Sequence, residues 1–501
     1  MSRRPVKPNF WRAALIGAFV APGGCAVGPD YRTPQIAVPD RYEAVPAARN
    51  EAPLSPPQAA QADLSHWWRQ FHDRQLDDLV QRALKSNLDL QVAASRIRQA
   101  REQEIVAGAA RLPSVSATGL AARLHSNTNP LAGLGGQPGG SQSNGSSSAS
   151  AGGPVTFDLY SIGFDATWEV DIFGGVRRGV EAARANTEAA AWQMRDAQVS
   201  LSAEVANTYL GLRTTQARLA IRQQSTRHQE ELLQLTDARA RNGFVTELDV
   251  NQQRTQLEAT RAEIPELQAQ ERAAVHALGV LLGQEPDSLA GELAQETAVP
   301  AVPSDLPVGL PSELLRRRPD VRRAERQLAA ATAGVGVAVA DLYPKFNLLG
   351  ALSLSASSPG QLLDGSSFKE LGAGLVSWPL FAAGKLRANV HATEEQQTQA
   401  YLAYRKSVLV ALQDAEDSLV RYTAEQRRLV SLRDSLTAAA SSRHIAEEQY
   451  RAGMVTFIDV LTATNSELTA QDQVAQSTQA LAQDLVSVYK ALGGGWIDTP
   501  Q

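Results

Sequence analysis

Cysteine is almost absent from this chain. Cys25 is the single one among 501 residues, so no disulfide can form within one copy. Aromatic residues make up only 6%, and long stretches consist mainly of Ala, Gln, Glu, Leu and Arg, which favours long helices over thick globular cores. The sequence offers no HExxH motif or Cys/His cluster for a metal and no nucleophile–base constellation for an enzyme. Its net charge of -5 excludes the basic surface of a nucleic-acid-binding protein.

The N-terminus has the pattern of an export signal. Basic residues precede an apolar run at 13–20, which is too short to span a bilayer, and small residues lead to Cys25. We predict a signal peptide over residues 1–24. A lone Cys at its end resembles a bacterial lipoprotein cleavage site, which implies a covalent lipid (diacylglycerol and an N-acyl chain such as palmitate) on Cys25; the alternative is an ordinary signal peptide. The Pro-rich residues 25–65 are then a lipidated extended segment.

The chain contains one pattern twice. Trp168 matches Trp378 at an offset of 210 residues, and residues 89–113 match 320–344 at an offset of 231. The predicted segments are repeat 1 (66–283), a Pro-rich linker (284–311), repeat 2 (312–493) and a C-terminal tail (494–501).

Alternating apolar and polar residues predict two strands in each repeat. Residues 162–172 show the clearest alternation, with Asp165, Glu169 and Asp171 on the polar face. A soluble sheet with one wet face would look the same, but little other β-structure is available to cover the apolar face. A barrel with lipid outside and water inside therefore fits better. The predicted strands are about 113–124 and 157–172 in repeat 1, and about 344–356 and 370–380 in repeat 2.

Long helices occupy most of each repeat. A single amphipathic helix is predicted over 67–111, before the first strand. Residues 175–241 contain no Pro, and Val205, Leu212 and Leu219 recur every seven residues, which is typical of coiled coils. A continuous helix of that length would extend about 100 Å at ~1.5 Å per residue.

Each long helix ends in the same turn sequence. Residues 241–250 read RNGFVTELDV, and residues 451–460 read RAGMVTFIDV. The Gly suits the left-handed position just past a helix end. The Thr suits the N-cap of the following helix, and the Asp three residues later would complete a capping box. We therefore predict two helical hairpins with tips at about 242–247 and 452–457.

The number of strands predicts an oligomer. One chain supplies four strands, which cannot close a barrel, and open strand edges are not viable in lipid. Two chains would close a barrel that side chains fill, whereas three chains would leave a water-filled lumen lined by the polar faces. The pattern alone thus predicts an oligomeric, membrane-anchored tube with hairpin tips.

Three sequence features resemble a known family. Residues 25–31 (CAVGPDY), the pair Trp67-Trp68, and the stretch from 310–321 (LPSELLRRRPDV) to 340–344 (ADLYP) look like the TolC/OprM-like outer membrane factors. These are outer-membrane lipoprotein channels of tripartite efflux pumps in Gram-negative bacteria. The resemblance covers nearly the whole mature chain. It implies an α+β membrane protein: a trimeric 12-stranded β-barrel, with four strands per chain, continued by a 12-helix periplasmic α-barrel tunnel and built from two internal structural repeats.

The resemblance also implies a function and partners. The channel would be a homotrimer in the cell outer membrane, in contact with outer membrane lipid and extending into the periplasm. It would bind a periplasmic membrane-fusion adaptor protein and an inner-membrane RND transporter, and would passively release drugs and toxic compounds, a role in multidrug resistance without enzyme chemistry. An outer-membrane duct of a type I protein secretion system is the alternative. A coiled-coil lipoprotein without a pore would not explain the paired strands.

Several residues are predicted functional sites. The resemblance implies a periplasmic gate in which Asp459 forms an acidic ring and Tyr450 latches neighbouring helices, with Asp249 at the corresponding place in repeat 1; capping boxes are the competing role for both acids. The predicted adaptor-docking tips are Gly243, Val245, Thr246, Gly453, Val455 and Thr456, where plain helix capping is the competing role of the two Gly. The predicted interfacial aromatic belt is Trp168, Phe173, Trp378 and Phe381, with core packing as the alternative.

Overall fold

The computed structural model describes residues 26–39, 42, 64–126, 155–295, 297–302 and 316–496. The predicted signal peptide, Cys25 and the end of the predicted tail lie outside the described residues. Described parts of 1–29, 108–179 and 335–390 form one compact unit, and described parts of 30–107, 180–334 and 391–501 form a second. None of the helices in the described part of the chain combines the length and apolarity needed to cross a membrane.

The succession of a 22-residue helix, two strands, a 67-residue helix and a 35-residue helix occurs twice, in two series of elements. The first comprises a 3-10 helix (Leu64–Phe71), α1 (Arg74–Ser86), α2 (Leu88–Ala109), β1 (Ser114–Ser126), β2 (Val155–Val170), α3 (Gly175–Arg241) and α4 (Glu247–Leu281). The second comprises α5 (Ala290–Leu293), α6 (Pro319–Ala340), β3 (Lys345–Ala356), 3-10 turns at Pro359–Gln361 and Gly365–Ser367, β4 (Phe368–Ser377), α7 (Lys385–Arg451) and α8 (Phe457–Ala491). Helices α3 and α7 each have 67 residues, and α4 and α8 each have 35. The strand bounds differ from the predicted ones by at most three residues.

The four strands form one antiparallel sheet in the order β1-β2-β3-β4. Ala117 lies opposite Phe164, which lies opposite Leu352 on the next strand. Ser116 lies opposite Asp165 in the alternate set. Because directly opposed residues share a face, the sheet has one mainly apolar and one mainly polar face. Phe164 is 61% exposed and Leu352 is 51% exposed, so the apolar face is open on this single chain.

A heptad stripe packs the helical unit. Val408, Ala415, Tyr422 and Leu429 recur every seven residues along α7, and all four are buried. Trp67, which precedes α1, stacks on Tyr489 of α8 with ring centroids 5.2 Å apart. The period of seven keeps one helix face against its neighbours, as in coiled coils.

The single helix predicted over 67–111 is wrong, because two side chains start new helices within it. Asp73 accepts hydrogen bonds from the backbone N–H groups of Gln75 and Leu76 at 2.8 and 3.0 Å, which caps α1. The amide oxygen of Asn87 accepts from the N–H of Leu90 at 3.1 Å and caps α2. Such side-chain caps offer the backbone an alternative to the continuing helix, so the chain breaks at both places.

The predicted linker at 284–311 contains helical structure in its described part. It contains the short helix Ala290–Leu293. Leu289 and Leu293 are almost completely buried in the core of the helical unit. Two buried Leu side chains on a Pro-rich segment stabilise it against that core, a contact that composition alone does not reveal.

Candidate functional site: the two hairpin tips

Glycine closes the end of the outgoing helix at each tip. Gly243 has φ of 75° and Gly453 has φ of 76°, in the left-handed region that glycine favours. In the first tip the N–H of Phe244 donates to the carbonyl of Arg239 at 2.9 Å, and the second tip repeats this bond. These are the bonds of a Schellman cap. A Cβ at either glycine would meet nothing within 4 Å, so the space beside both glycines is open in one chain.

A capping box starts the returning helix at each tip. The Asp249 carboxylate accepts from the backbone N–H and the hydroxyl of Thr246 at 2.9 and 2.8 Å. Asp459 accepts from the same two groups of Thr456 at 2.9 and 2.6 Å. The hydrogen bonds from Thr456 lower the pKa of the Asp459 carboxyl, which therefore carries a full negative charge at neutral pH. The capping role weighed for both acids is confirmed; their role as gate rings stays a prediction.

Large apolar side chains are exposed at both tips. They lie at matching positions, 210 residues apart: Phe244 (75% exposed) with Met454 (69%), and Leu248 (64%) with Ile458 (54%). Val245 and Val455, the apolar residues singled out from the sequence, instead are half-buried beneath the tips. The matching apolar pairs were visible in the repeat, but only the structure shows which apolar residue of each turn points outward.

Tyr450 fixes the second tip to the first hairpin. Its ring is buried and meets Phe457 edge-on with centroids 5.8 Å apart. The Arg239 guanidinium lies 4.5 Å from the centre of the Tyr450 ring and donates to the Tyr450 carbonyl at 2.9 Å. The phenol hydroxyl is buried and has no hydrogen-bond partner among the described residues. The ring, rather than the hydroxyl, therefore makes the contacts within one chain.

An ionic cluster that the sequence did not reveal joins three helices above the second tip. His228 of α3 contacts the carboxylate of Glu447 of α7 through Nε2 at 2.8 Å. Arg443 donates to Glu447 at 2.6 Å and also to Glu467 of α8. Burial opposes ionisation of Glu447, but the hydrogen bonds from His228 and Arg443 outweigh it and lower its pKa to about 2. The spacing of Arg443 and Glu447 is visible in the sequence, whereas their contact with His228 is not.

The four predicted belt residues lie in different surroundings. Trp168 donates through Nε1 to the carbonyl of Arg111 at 3.1 Å, and Trp378 makes the equivalent bond to Leu342 at 3.1 Å. Phe173 stacks on Tyr343 with centroids 4.6 Å apart, so it packs within the sheet unit. Phe381 is 90% exposed.

The segment that follows Cys25 is bound to the sheet unit. The N–H of Val27 donates to the carbonyl of Phe173 at 3.0 Å, and Arg178 donates to the Val27 carbonyl at 3.3 Å. Gly28 has φ of 86°, and a Cβ on it would lie 2.5 Å from the Cα of Gly336. The backbone thus passes through a slot too narrow for a side chain at Gly28.

The described residues contain no group of three or more His, Cys, Asp or Glu side chains that could hold a metal ion. The two tips offer a pair of turns closed by backbone hydrogen bonds, with exposed apolar side chains and an acidic side chain on each. Exposed apolar side chains beside acidic groups suit a surface that docks another protein.

The chain is similar to known proteins over nearly its whole length. The family model of outer membrane efflux proteins matches residues 79–284 and 310–494. The chain is 32% identical over 483 residues to the pyoverdine export outer membrane protein OpmQ of Pseudomonas aeruginosa, with 96% of each protein covered. It is 31% identical over 486 residues to the toluene efflux pump outer membrane protein TtgC of Pseudomonas putida, covering 96% of this chain and 95% of that protein. The solved outer-membrane channel OprN has a TM-score of 0.82 at 36% identity, covering 94% of this chain and 100% of OprN.

Proposed function

The chain belongs to the outer membrane efflux protein family, and we propose that it is the exit duct of a tripartite pump driven by an inner-membrane RND transporter. It is an outer-membrane efflux channel. One observation carries this conclusion: a single chain combines an open apolar sheet face with two long hairpins, and it is similar to the OprN channel over 94% of its length. Its role is that of a passive conduit.

We propose a homotrimer as the working assembly. Three copies supply twelve strands and, counting α3, α4, α7 and α8, twelve hairpin helices. The strands would close a barrel around a lumen wide enough for solutes, with the polar sheet face inside. The helices would form the periplasmic tunnel. The open apolar face of the single-chain sheet supports this assembly, because that face needs lipid against it.

The exported substrates are proposed to be small molecules, including drugs and toxic compounds. Two similar proteins carry names that refer to pyoverdine export and toluene efflux. Such names favour small-molecule efflux over the type I protein secretion duct. The two relatives match this chain over almost their whole length but are named for different substrates. This is consistent with selectivity that is set by the inner-membrane pump rather than by this subunit.

The hairpin tips are proposed as gate and docking surface. Asp459 and Asp249 would form acidic rings around the axis, and Tyr450 would help to hold the second hairpin in the closed position. The open space beside Gly243 and Gly453 would admit a helical hairpin of the adaptor protein. The exposed apolar pairs at both tips support docking, because they would be covered by an apolar partner.

The N-terminus is proposed to carry a lipid anchor on Cys25. Its support is the binding of Val27 to Phe173, directly downstream, which would fix the anchored end of the chain beside the sheet. Trp168 and Trp378 would contribute to an aromatic belt at the membrane interface, together with Phe173 and Phe381. The slot at Gly28 would then hold the anchored segment in one position.

Two measurements test this function. The full-length chain, purified in detergent and added to planar lipid bilayers, is expected to give discrete conductance steps; a protein that stays soluble without detergent and gives none would contradict a channel. In the native host, deletion of the gene is expected to raise the intracellular level of small toxic compounds. Retention of a secreted protein, with unchanged small-molecule levels, would instead support the type I duct.

A further inference from the structure

The outer strands of the sheet, β1 and β4, each have one neighbour within the described chain. Backbone N–H and carbonyl groups on the other edge cannot bond water inside a lipid bilayer, so they need a second strand. Resting on the trimer proposed above, we propose that β4 of one copy pairs antiparallel with β1 of the next in one defined register. In that register Trp378 lies opposite Ala117 of the partner subunit.

The internal repeat predicts strand register correctly inside the chain. An offset of 231 residues relates β1 to β3, and an offset of 210 relates β2 to β4. Applied to the observed pair Ser114 and Thr167, these offsets give Lys345 and Ser377. That is the pair observed between β3 and β4, although nothing in the first contact obliges the second to follow it. The two offsets therefore describe the geometry of the sheet as well as the sequence.

The same offsets fix the contact between copies. In a closed ring the pairing of β2 with β3 has its counterpart in the pairing of β4 with β1 of the next copy. The observed pair Trp168 and Leu348 becomes Trp378 opposite the partner's Ala117. All other opposed positions follow, because each step along one strand is matched by one step back along the other.

Side chains on the polar face support this register. Leu375 on β4 falls opposite the partner's Leu120, and Ala373 falls opposite the partner's Ala122. Leu375 is 52% exposed and Leu120 is 53% exposed in the single chain. A slip of one residue would place the partner's apolar side chains on the wrong face, whereas the proposed register covers one exposed Leu with the other.

Charges on the apolar face support it as well. Glu370 is an exposed carboxylate on β4. The residue opposite it on β3 is Leu352, which offers it no positive charge. The proposed register places it opposite the partner's His125, with the partner's Arg123 diagonally adjacent. Within one chain Arg123 already binds Asp158 at 2.6 Å and is 72% exposed. Glu370 would therefore join a short row of alternating charges across the contact between copies.

Disulfide crosslinking of the full-length protein tests the register. Opposed residues in an antiparallel pair lie within disulfide reach, whereas a diagonal neighbour at roughly 7–8 Å lies beyond it. We expect Leu375→Cys with Leu120→Cys to give crosslinked dimers and trimers under oxidation, on denaturing gels without reductant. The matched control, Leu375→Cys with Ala122→Cys, is expected to crosslink at least ten times less. The unsubstituted chain, with Cys25 alone, gives the background.

A charge swap gives a second readout. Glu370→Lys would face the partner's His125 and Arg123, and we expect it to lower the crosslink yield of the matched pair about two- to five-fold. Adding His125→Glu is expected to restore the yield. An unchanged crosslink yield in Glu370→Lys would contradict the placement of Glu370 beside the partner's His125 and the partner's Arg123.

The outcomes separate the register from the trimer. Stronger crosslinking of the control pair than of the matched pair would overturn the register while leaving the trimer in place. Absence of crosslinks in both pairs, in a protein whose detergent-purified mass is that of three chains, would also overturn it. The mass of one chain would instead overturn the trimer on which the register rests.

Discussion

The two hairpin tips share a turn but differ in what anchors them. Both have a left-handed glycine, an N-terminal Thr cap and an Asp that closes the capping box. The second tip also carries Tyr450 and Glu447, whose counterparts 210 residues earlier are Ala240 and Asp237. Tyr450 and Glu447 both reach across to α3, where they meet Arg239 and His228. The second hairpin is thus held to the first by Tyr450 and Glu447, whereas Ala240 has no ring and Asp237 pairs with Arg241 of its own helix.

The difference separates local from long-range control. A turn fixed by neighbouring residues forms wherever its sequence occurs, so the two tips match in backbone. Anchoring depends on residues far apart in sequence, and it includes His228, whose pKa is raised by its hydrogen bond with Glu447. We infer that the second hairpin is the one whose attachment can be altered without changing its turn.

Truncation of Tyr450 should cause the largest change. Tyr450→Ala removes a buried ring from the contact with Phe457 and Arg239, and it should lower the free energy of local opening of the second tip by about 3 kcal/mol. Hydrogen exchange of amides 450–460, measured by mass spectrometry on the assembled protein, would report this loss. Tyr450→Phe keeps the ring and should change this opening free energy by less than ~0.5 kcal/mol, because the hydroxyl has no hydrogen-bond partner among the described residues. Equal losses in both variants would contradict the role of the ring.

Neutralising Glu447 should have the next largest effect. Glu447→Gln leaves Arg443 and His228 without their shared carboxylate, which should lower the same opening free energy by about 2 kcal/mol. The matched control is Asp237→Asn at the equivalent position of the first hairpin, where the carboxylate is more exposed and a change within about 0.5 kcal/mol is expected. A larger effect at Asp237 would reverse the comparison between the tips.

Lowering the pH should stabilise the second tip but not the first. The hydrogen bond with Glu447 raises the pKa of His228, and Glu447, Arg443 and Glu231 are the charged groups that face it. Protonated His228 binds the Glu447 carboxylate more strongly than neutral His228 does. The stabilisation of the second tip by this pair is therefore complete below about pH 6.5, and it is lost as the pH rises through the raised pKa of His228. Protection of amides 450–460 should therefore be constant below about pH 6.5 and decrease as the pH rises above that value, after correction for intrinsic exchange.

Substitution of the histidine provides the control for that experiment. His228→Gln should abolish the decrease, whereas the neighbouring, exposed His444→Gln should retain it. A pH profile that His228→Gln does not change would show that another group titrates.

Substitution of the two capping acids should change the local stability of the tips least. The two substitutions should nevertheless differ in their effect on the channel. Asp249→Ala and Asp459→Ala each remove a capping-box carboxylate, and each should cost about 0.5–1 kcal/mol of local stability. Asp459→Ala is expected to raise the resting conductance and the uptake of large antibiotics more than Asp249→Ala does, because Asp459 is the residue that matches the ring-forming acid of the family. Unchanged conductance and uptake in that variant would leave Asp459 as a cap alone.

The sequence predicts those parts of the structure that depend on residues close together in the chain. The alternation at 162–172 predicts both the strand and its apolar face, because side chains on a strand change face at every residue. Thr246 and Asp249 predict a capping box from three residues of spacing. The break at Asn87 was missed, since it depends on one amide turning back to cap the next helix. The contact of His228 with Glu447 joins residues 219 positions apart, and no pattern in a single sequence indicates it.

The central claim is that three copies of this chain close one channel. Its most direct test is the native mass of the mature protein purified in detergent. A mass of three chains after correction for bound detergent is the predicted result, and it would place four strands per copy in a closed twelve-stranded wall. A monomer that remains soluble when the detergent is removed would mean that the apolar sheet face is covered within one chain, and it would contradict the channel.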